Sequence, residues 1–155
     1  MPPPVADPLR ELEDWAAPIL ASLKPDARMR LARRIGADLR RGQTQRIAQQ
    51  RNPDGSAYAP RKQPARAKAG RIKRGAMFKK LRKPQFLKVR TDADGAAVEF
   101  TSRVSKIARI HQEGQRAEVR PGGPSIRYTR RELLGFSAAD GERIRKLVLD
   151  HLAGA

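Results

Sequence analysis

LKVRTDADGAAVEF, Leu87 to Phe100, decides the fold class. Leu87 and Val89 alternate with Lys88 and Arg90, and Val98 and Phe100 alternate with Glu99 and Thr101. Between the two runs, Asp92-Ala93-Asp94-Gly95 supplies turn chemistry. The pattern predicts an antiparallel hairpin with one face inward, and with Lys88, Arg90 and Glu99 in reach of cross-strand pairing. Most of what flanks it repeats at three and four, the spacing of helices. The expected class is therefore α+β: N-terminal helices, a small antiparallel sheet with a long basic arm, and a C-terminal helix.

Downstream, Val104, Ile107, Ala108 and His111 predict a helix ended by Gly114. Arg116 to Arg120 and Ile126 to Tyr128 read as short strands around the rigid turn Pro121-Gly122-Gly123-Pro124. Thr129 with Glu132 reads as a capping box opening a short turn to Leu134, closed by Gly135, and Ser137 with Asp140 repeats the device. The last helix is expected to bury Ile144, Leu147, Val148 and Leu152.

Upstream, Asp7 and Pro8 open a helix whose stripe is Leu9, Leu12, Ala16, Ile19, Leu20 and Leu23, with a kink or break expected at Pro18. Trp15 reads as a core or subunit-contact anchor. Residues 1–24 form this N-terminal extension. A second helix over 25–50 starts at Pro25-Asp26, buries Leu31, Ile35 and Leu39, and stops at Asn52-Pro53-Asp54-Gly55. One domain over 1–155 is expected, in which 76–155 holds the hairpin and the later helices.

Between the second helix and the hairpin lies the charge. Arg51 to Arg90 carries fourteen Lys and Arg against one acid, so thirteen of the eighteen net positive charges fall in about a quarter of the chain. Prolines and glycines interrupt it at Pro53, Gly55, Pro60, Pro64, Gly70 and Gly75. Residues 51–75 read as an extended cationic arm. A short basic helix, Ala76 to Arg82, follows and turns Met77, Phe78 and Leu81 inward.

The chain has no cysteine, which excludes disulfides, thiolate chemistry and Cys-based zinc sites. The N-terminus lacks the pattern of a secretory signal, and no apolar run approaches the ~20 residues of a membrane span. Synthesis in the cytoplasm is expected. His111-Gln112-Glu113 has the letters of an H-x-E zinc motif without the cysteine pair that must follow it. His111 and His151 read as structural, and Asp92 and Asp94 as turn formers. No phosphate-binding loop is present. No enzyme, cofactor or metal site is expected. Nucleic-acid binding is the strongest alternative from the residues alone: the basic cluster suits sequence-independent contact with phosphates, and the arm offers Tyr58 and little else for stacking.

Five stretches together resemble a known family: QRIAQQRNPDGSAYAPRK (Gln45 to Lys62), GRIKRGAMFKKLR (Gly70 to Arg82), KIARIHQEG (Lys106 to Gly114), RPGGPSIRY (Arg120 to Tyr128) and RRELLGFSAAD (Arg130 to Asp140). They look like the phage virion morphogenesis family, of the tail-completion type in contractile-tailed temperate phages and Mu-like phages. The similarity runs from about Leu31 to Leu152. It implies a non-enzymatic structural protein of the virion, assembled in the host cytoplasm. Such a protein would form a ring, implied to be hexameric, that finishes the head-proximal end of the tail or joins it to the head. Tail-tube and neck proteins are the implied partners. The positions shared with the family are structural: Asn52, Pro53, Asp54 and Gly55 as a loop, His111 and Gly114 ending a helix, Leu133 and Leu134 packing a turn.

Within that frame the arm is expected to lie across an adjacent protomer or the tail tube. Arg61, Lys62, Arg66, Lys68, Arg71, Lys73 and Arg74, with Lys79 and Lys80 beside them, would meet acidic protein surface, or DNA backbone in the lumen. Deletion of 56–70 is expected to leave a folded protein that no longer forms rings. The same cations serve a nucleic-acid-binding protein, so charge alone does not separate the two.

Overall fold

The computed structural model describes residues 7–62 and 75–154. Helix α1 (Pro8–Ser22) starts where Asp7 Oδ1 accepts the Leu9 N–H at 3.1 Å, with Pro8 at the first helical position. It runs through Pro18 without the expected break. Helix α2 (Pro25–Ala48) is the longest element, and Asp26 sits at the positive end of its dipole. Strands β1 (Leu87–Thr91) and β2 (Ala96–Phe100) pair antiparallel with Val89 opposite Val98 and Leu87 opposite Phe100. Asp92 Oδ1 accepts the N–H groups of Asp94 and Gly95 and so closes the turn. Helix α3 (Ser102–Glu113) ends on Gly114 at φ 66°, a conformation that favours glycine. Strands β3 (Arg116–Glu118) and β4 (Ser125–Arg127) form a second two-stranded ribbon, and helix α4 (Ala138–Leu152) ends the fold.

The class is α+β, and among the described residues the four strands lie in two separate ribbons. Both reciprocal bonds of the Ser137–Asp140 capping box are formed at the start of α4.

α2 joins two apolar clusters. Near its N-terminus Leu31 packs with Leu12 of α1 and with Ile144 and Val148 of α4, flanked by Trp15, Ile35 and Leu39. Trp15 is half-buried against this cluster, with the Arg145 guanidinium 6.0 Å from the centre of its ring. Near the other end Ile47 packs with Tyr58, Leu81, Val104, Ala108 and Leu133. Between them the first hairpin crosses α2 at Gly36, where an added Cβ would lie 2.5 Å from a Val89 methyl. There, too, Arg40 Nε donates to the Leu87 carbonyl at 2.8 Å.

Four further expectations are corrected. Residues 76–82 form successive turns and no helix, because Gln50 grips the Met77 backbone through both its N–H (2.6 Å) and its carbonyl (2.9 Å), and Phe78 takes φ 64°. Met77, Phe78 and Leu81 nevertheless face inward. Thr129 to Leu134 is not a capped helical turn either, since its backbone donors bond elsewhere: Arg131 N–H to the His111 carbonyl, and Glu132 N–H to Asn52 Oδ1. Leu152, expected inside, is 47% exposed. And the chain does not leave the body at Arg51, because Tyr58 is buried and Arg131 holds the carbonyls of Ala59 and Pro60 at 2.7 and 2.8 Å. Deletion of 56–70 would therefore remove part of the core, contrary to the expectation of an intact fold.

Candidate functional site

The loop from Thr129 to Phe136 belongs to no helix or strand and bends at Leu133 and Leu134, yet Arg131 and Leu133 are buried, so its backbone polar groups need partners. Side chains from three other segments provide them. Gln112 of α3 accepts the N–H groups of Leu133 (2.8 Å) and Leu134 (2.9 Å) through Oε1, and its Nε2 donates to the Leu134 carbonyl at 2.7 Å. Gln43 of α2 holds Gly135 through both N–H (3.2 Å) and carbonyl (2.9 Å). Arg46, one turn further, donates to the Gln43 amide oxygen and approaches the carbonyls of Leu133 and Gly135, both at 3.4 Å. The third segment is the loop after α2. Asn52 Oδ1 takes the Glu132 N–H at 2.9 Å, the Tyr58 hydroxyl donates to the Glu132 carbonyl at 3.1 Å, and Pro53 lies over Gly135. A Cβ at Gly135 would fall 2.2 Å from Pro53 Cγ, so only glycine admits that approach.

Burial sets the electrostatics of this clamp. It pushes the Tyr58 phenol up to about 12 and lowers the Arg46 guanidinium from its ordinary value. Asp54 lies below the usual carboxylate range because the Ser56 hydroxyl and backbone N–H both donate to it. Its role is local: the bonds shape the Asn52–Ser56 turn.

Beside the clamp is a groove of ≈ 390 Å³ whose lining includes Met77, Phe78, His111 and Tyr128, with Arg61, Lys62 and Arg131 around it. The His111 ring meets Phe78 and Tyr128 edge-on, at centroid distances of 4.9 and 5.1 Å. Its pKa is lowered by burial and then by the Arg131 charge, and its Nδ1 has no hydrogen-bond partner. The ring is thus packed among aromatic neighbours, where burial disfavours its charged form. Among the described residues no group of three or more His, Asp or Glu could hold a metal ion, and no helix is long and apolar enough to cross a membrane.

The structure thus brings together residues that were separate in sequence. Asn52, Pro53, Leu133 and Leu134 belong to one contact, with His111 and Gly114 at its edge; Leu133 is fully buried. Of the basic positions, Arg61 and Lys62 flank the groove, while Lys79 and Lys80 are exposed on the turns that follow residue 75. Arg66, Lys68, Arg71, Lys73 and Arg74 lie outside the described residues. The glutamines and Arg131 were missed. Gln43 carried a usable signal, because it falls on the stripe of Ala32, Gly36 and Ile47 that α2 buries. A polar residue on a buried stripe needs a partner.

The sequence profile of the phage virion morphogenesis family matches residues 7–153, so the similarity reaches beyond Leu31 and includes α1. The chain is 41% identical over 145 residues to the tail completion protein S of Escherichia phage P2, an alignment covering 92% of this chain and 96% of that protein. No solved structure matches.

Proposed function

The chain belongs to the phage virion morphogenesis family, and from that premise we propose that it is a non-enzymatic structural protein of tail completion. In this reading it closes as a ring, matched to the six-fold tail, at the head-proximal end, as tail terminator or neck component. It assembles in the host cytoplasm and ends in the virion. The observation that carries the reading is the length of the match to a tail completion protein: 92% of this chain and 96% of the other, so it spans both clusters and the clamp. The clamp suits such a role, since it fixes the middle of the fold by hydrogen bonds and leaves the outer surfaces to partners.

The cations Arg61, Lys62, Arg66, Lys68, Arg71, Lys73, Arg74, Lys79 and Lys80 supply the contact with a neighbouring protomer, with tail-tube or connector protein, or with the DNA backbone in the lumen. The test is native mass at low and high salt with negative-stain imaging, for the wild type and for a chain in which 63–74 is replaced by Gly-Ser repeats of equal length. Six-fold rings for the wild type, lost in the replacement, are expected. A chain that never assembles, alone or on tail tubes, and that binds duplex DNA with steep salt dependence would replace this reading with sequence-independent nucleic-acid binding.

A further inference from the structure

The β3–β4 ribbon is poorly provided for within its own chain. It has two strands of three residues each, a size that is marginal in water without further packing. Its register sets Arg116 directly opposite Arg127, and like charges in that position repel. Between the ribbon and α3 runs a groove of ≈ 740 Å³. Its apolar lining includes Ile107 and Val119, left 54% and 56% exposed. Lys106, Arg116 and Arg120 line it too, all exposed and none in an ion pair among the described residues. The acid in the lining, Glu118, is engaged with the Gly122 N–H at 3.0 Å. The groove therefore fits a segment that is amphipathic and acidic.

One such segment is in the same sequence. Residues 7–14 hold four acids, Asp7, Glu11, Glu13 and Asp14, against the single base Arg10, in a chain of net charge +18. Glu11, Glu13 and Asp14 are exposed on α1 and without an ion pair among the described residues. Leu9, 40% exposed, sits one helical turn from Glu13. In its own chain α1 packs on α4, whereas α3 packs on β2, so this helix does not fill its own groove.

We propose that the groove between α3 and the β3–β4 ribbon receives the acidic first turns of α1 from a second copy of the chain. The proposal rests on the ring reading above and deepens it by naming both halves of the contact. The two surfaces differ, so the contact is head-to-tail, the type that closes into a ring when the rotation allows. Charge favours the pairing: two basic faces of the protein repel, whereas the start of α1, with four acids against one base over residues 7–14, approaches a cationic groove attractively.

The test uses two full-length variants, one with Glu11→Lys, Glu13→Lys and Asp14→Lys, the other with Lys106→Glu, Arg116→Glu and Arg120→Glu. Far-UV circular dichroism and urea midpoints check that both fold. Each alone is expected to lose assembly, its association constant falling roughly 100-fold or more. An equimolar mixture is expected to reassemble, because each reversed surface then faces a reversed partner. Rings unchanged in either folded variant, or folded variants that stay apart when mixed, overturn the contact and leave the ring reading standing. So does a groove variant that loses duplex-DNA binding yet still forms rings. A wild-type chain that never assembles, alone or on tail tubes, overturns both.

Discussion

Gln112→Met isolates the hydrogen bonds of the central clamp, since methionine keeps the length and nearly the volume of glutamine but bonds neither to N–H nor to carbonyl. Three bonds disappear: Leu133 N–H and Leu134 N–H to the amide oxygen, and the amide nitrogen to the Leu134 carbonyl. Leu133 is fully buried, so its N–H is left without water, at a cost of about 1–3 kcal/mol. Leu134 is half-buried and can be rehydrated, so its two bonds count at the net value of about 0.5–1.5 kcal/mol each. The sum is about 4 kcal/mol, a fall in Tm on the order of 10 °C for a protein of this size. Urea unfolding of wild type, Gln112→Met and the exposed control Gln49→Met measures it, and the control is expected within about 0.5 kcal/mol of wild type. A loss under about 0.5 kcal/mol for Gln112→Met would refute the clamp, because the loop backbone would then be satisfied without it.

Gly135→Ala drives a methyl into the Pro53 ring and is expected to cost about 2 kcal/mol, part of which returns in the double variant with Pro53→Ala; additive losses would show that the two do not touch. Tyr58→Phe removes the hydroxyl bond to the Glu132 carbonyl for about 1 kcal/mol, and in the wild type ultraviolet titration should find one phenol ionising at about 12. His111 has a folded pKa below its ordinary value of 6.5, so the unfolded chain takes up its proton first. Its contribution is complete above that value and is lost as pH falls from 6.5 through the folded pKa. Unfolding measured from pH 7.5 to 5 should show a steeper decline for wild type than for His111→Phe, and parallel declines would contradict the buried neutral imidazole.

Residues near one another in sequence determined the hairpin, the caps and the helical stripes. The alternation around Asp92-Ala93-Asp94-Gly95, the Ser137–Asp140 box and Gly114 each specify a conformation within a few residues, and each forms as read. The family was legible for the same reason, through five short motifs in one order. The elements that went astray are those whose bonds come from far along the chain. Residues 76–82 have a helical pattern, but Gln50 binds the Met77 backbone and draws it into turns. Thr129 and Glu132 match a capping box, but Asn52, Tyr58 and Gln112 take the backbone of the loop in an irregular path. Charge and proline made 51–60 look like the start of an arm, and the burial of one aromatic ring with two bonds from Arg131 kept it on the body. A buried backbone group takes whichever partner the fold brings within about 3 Å, and over separations such as Gln43 to Gly135 that partner is set by tertiary packing.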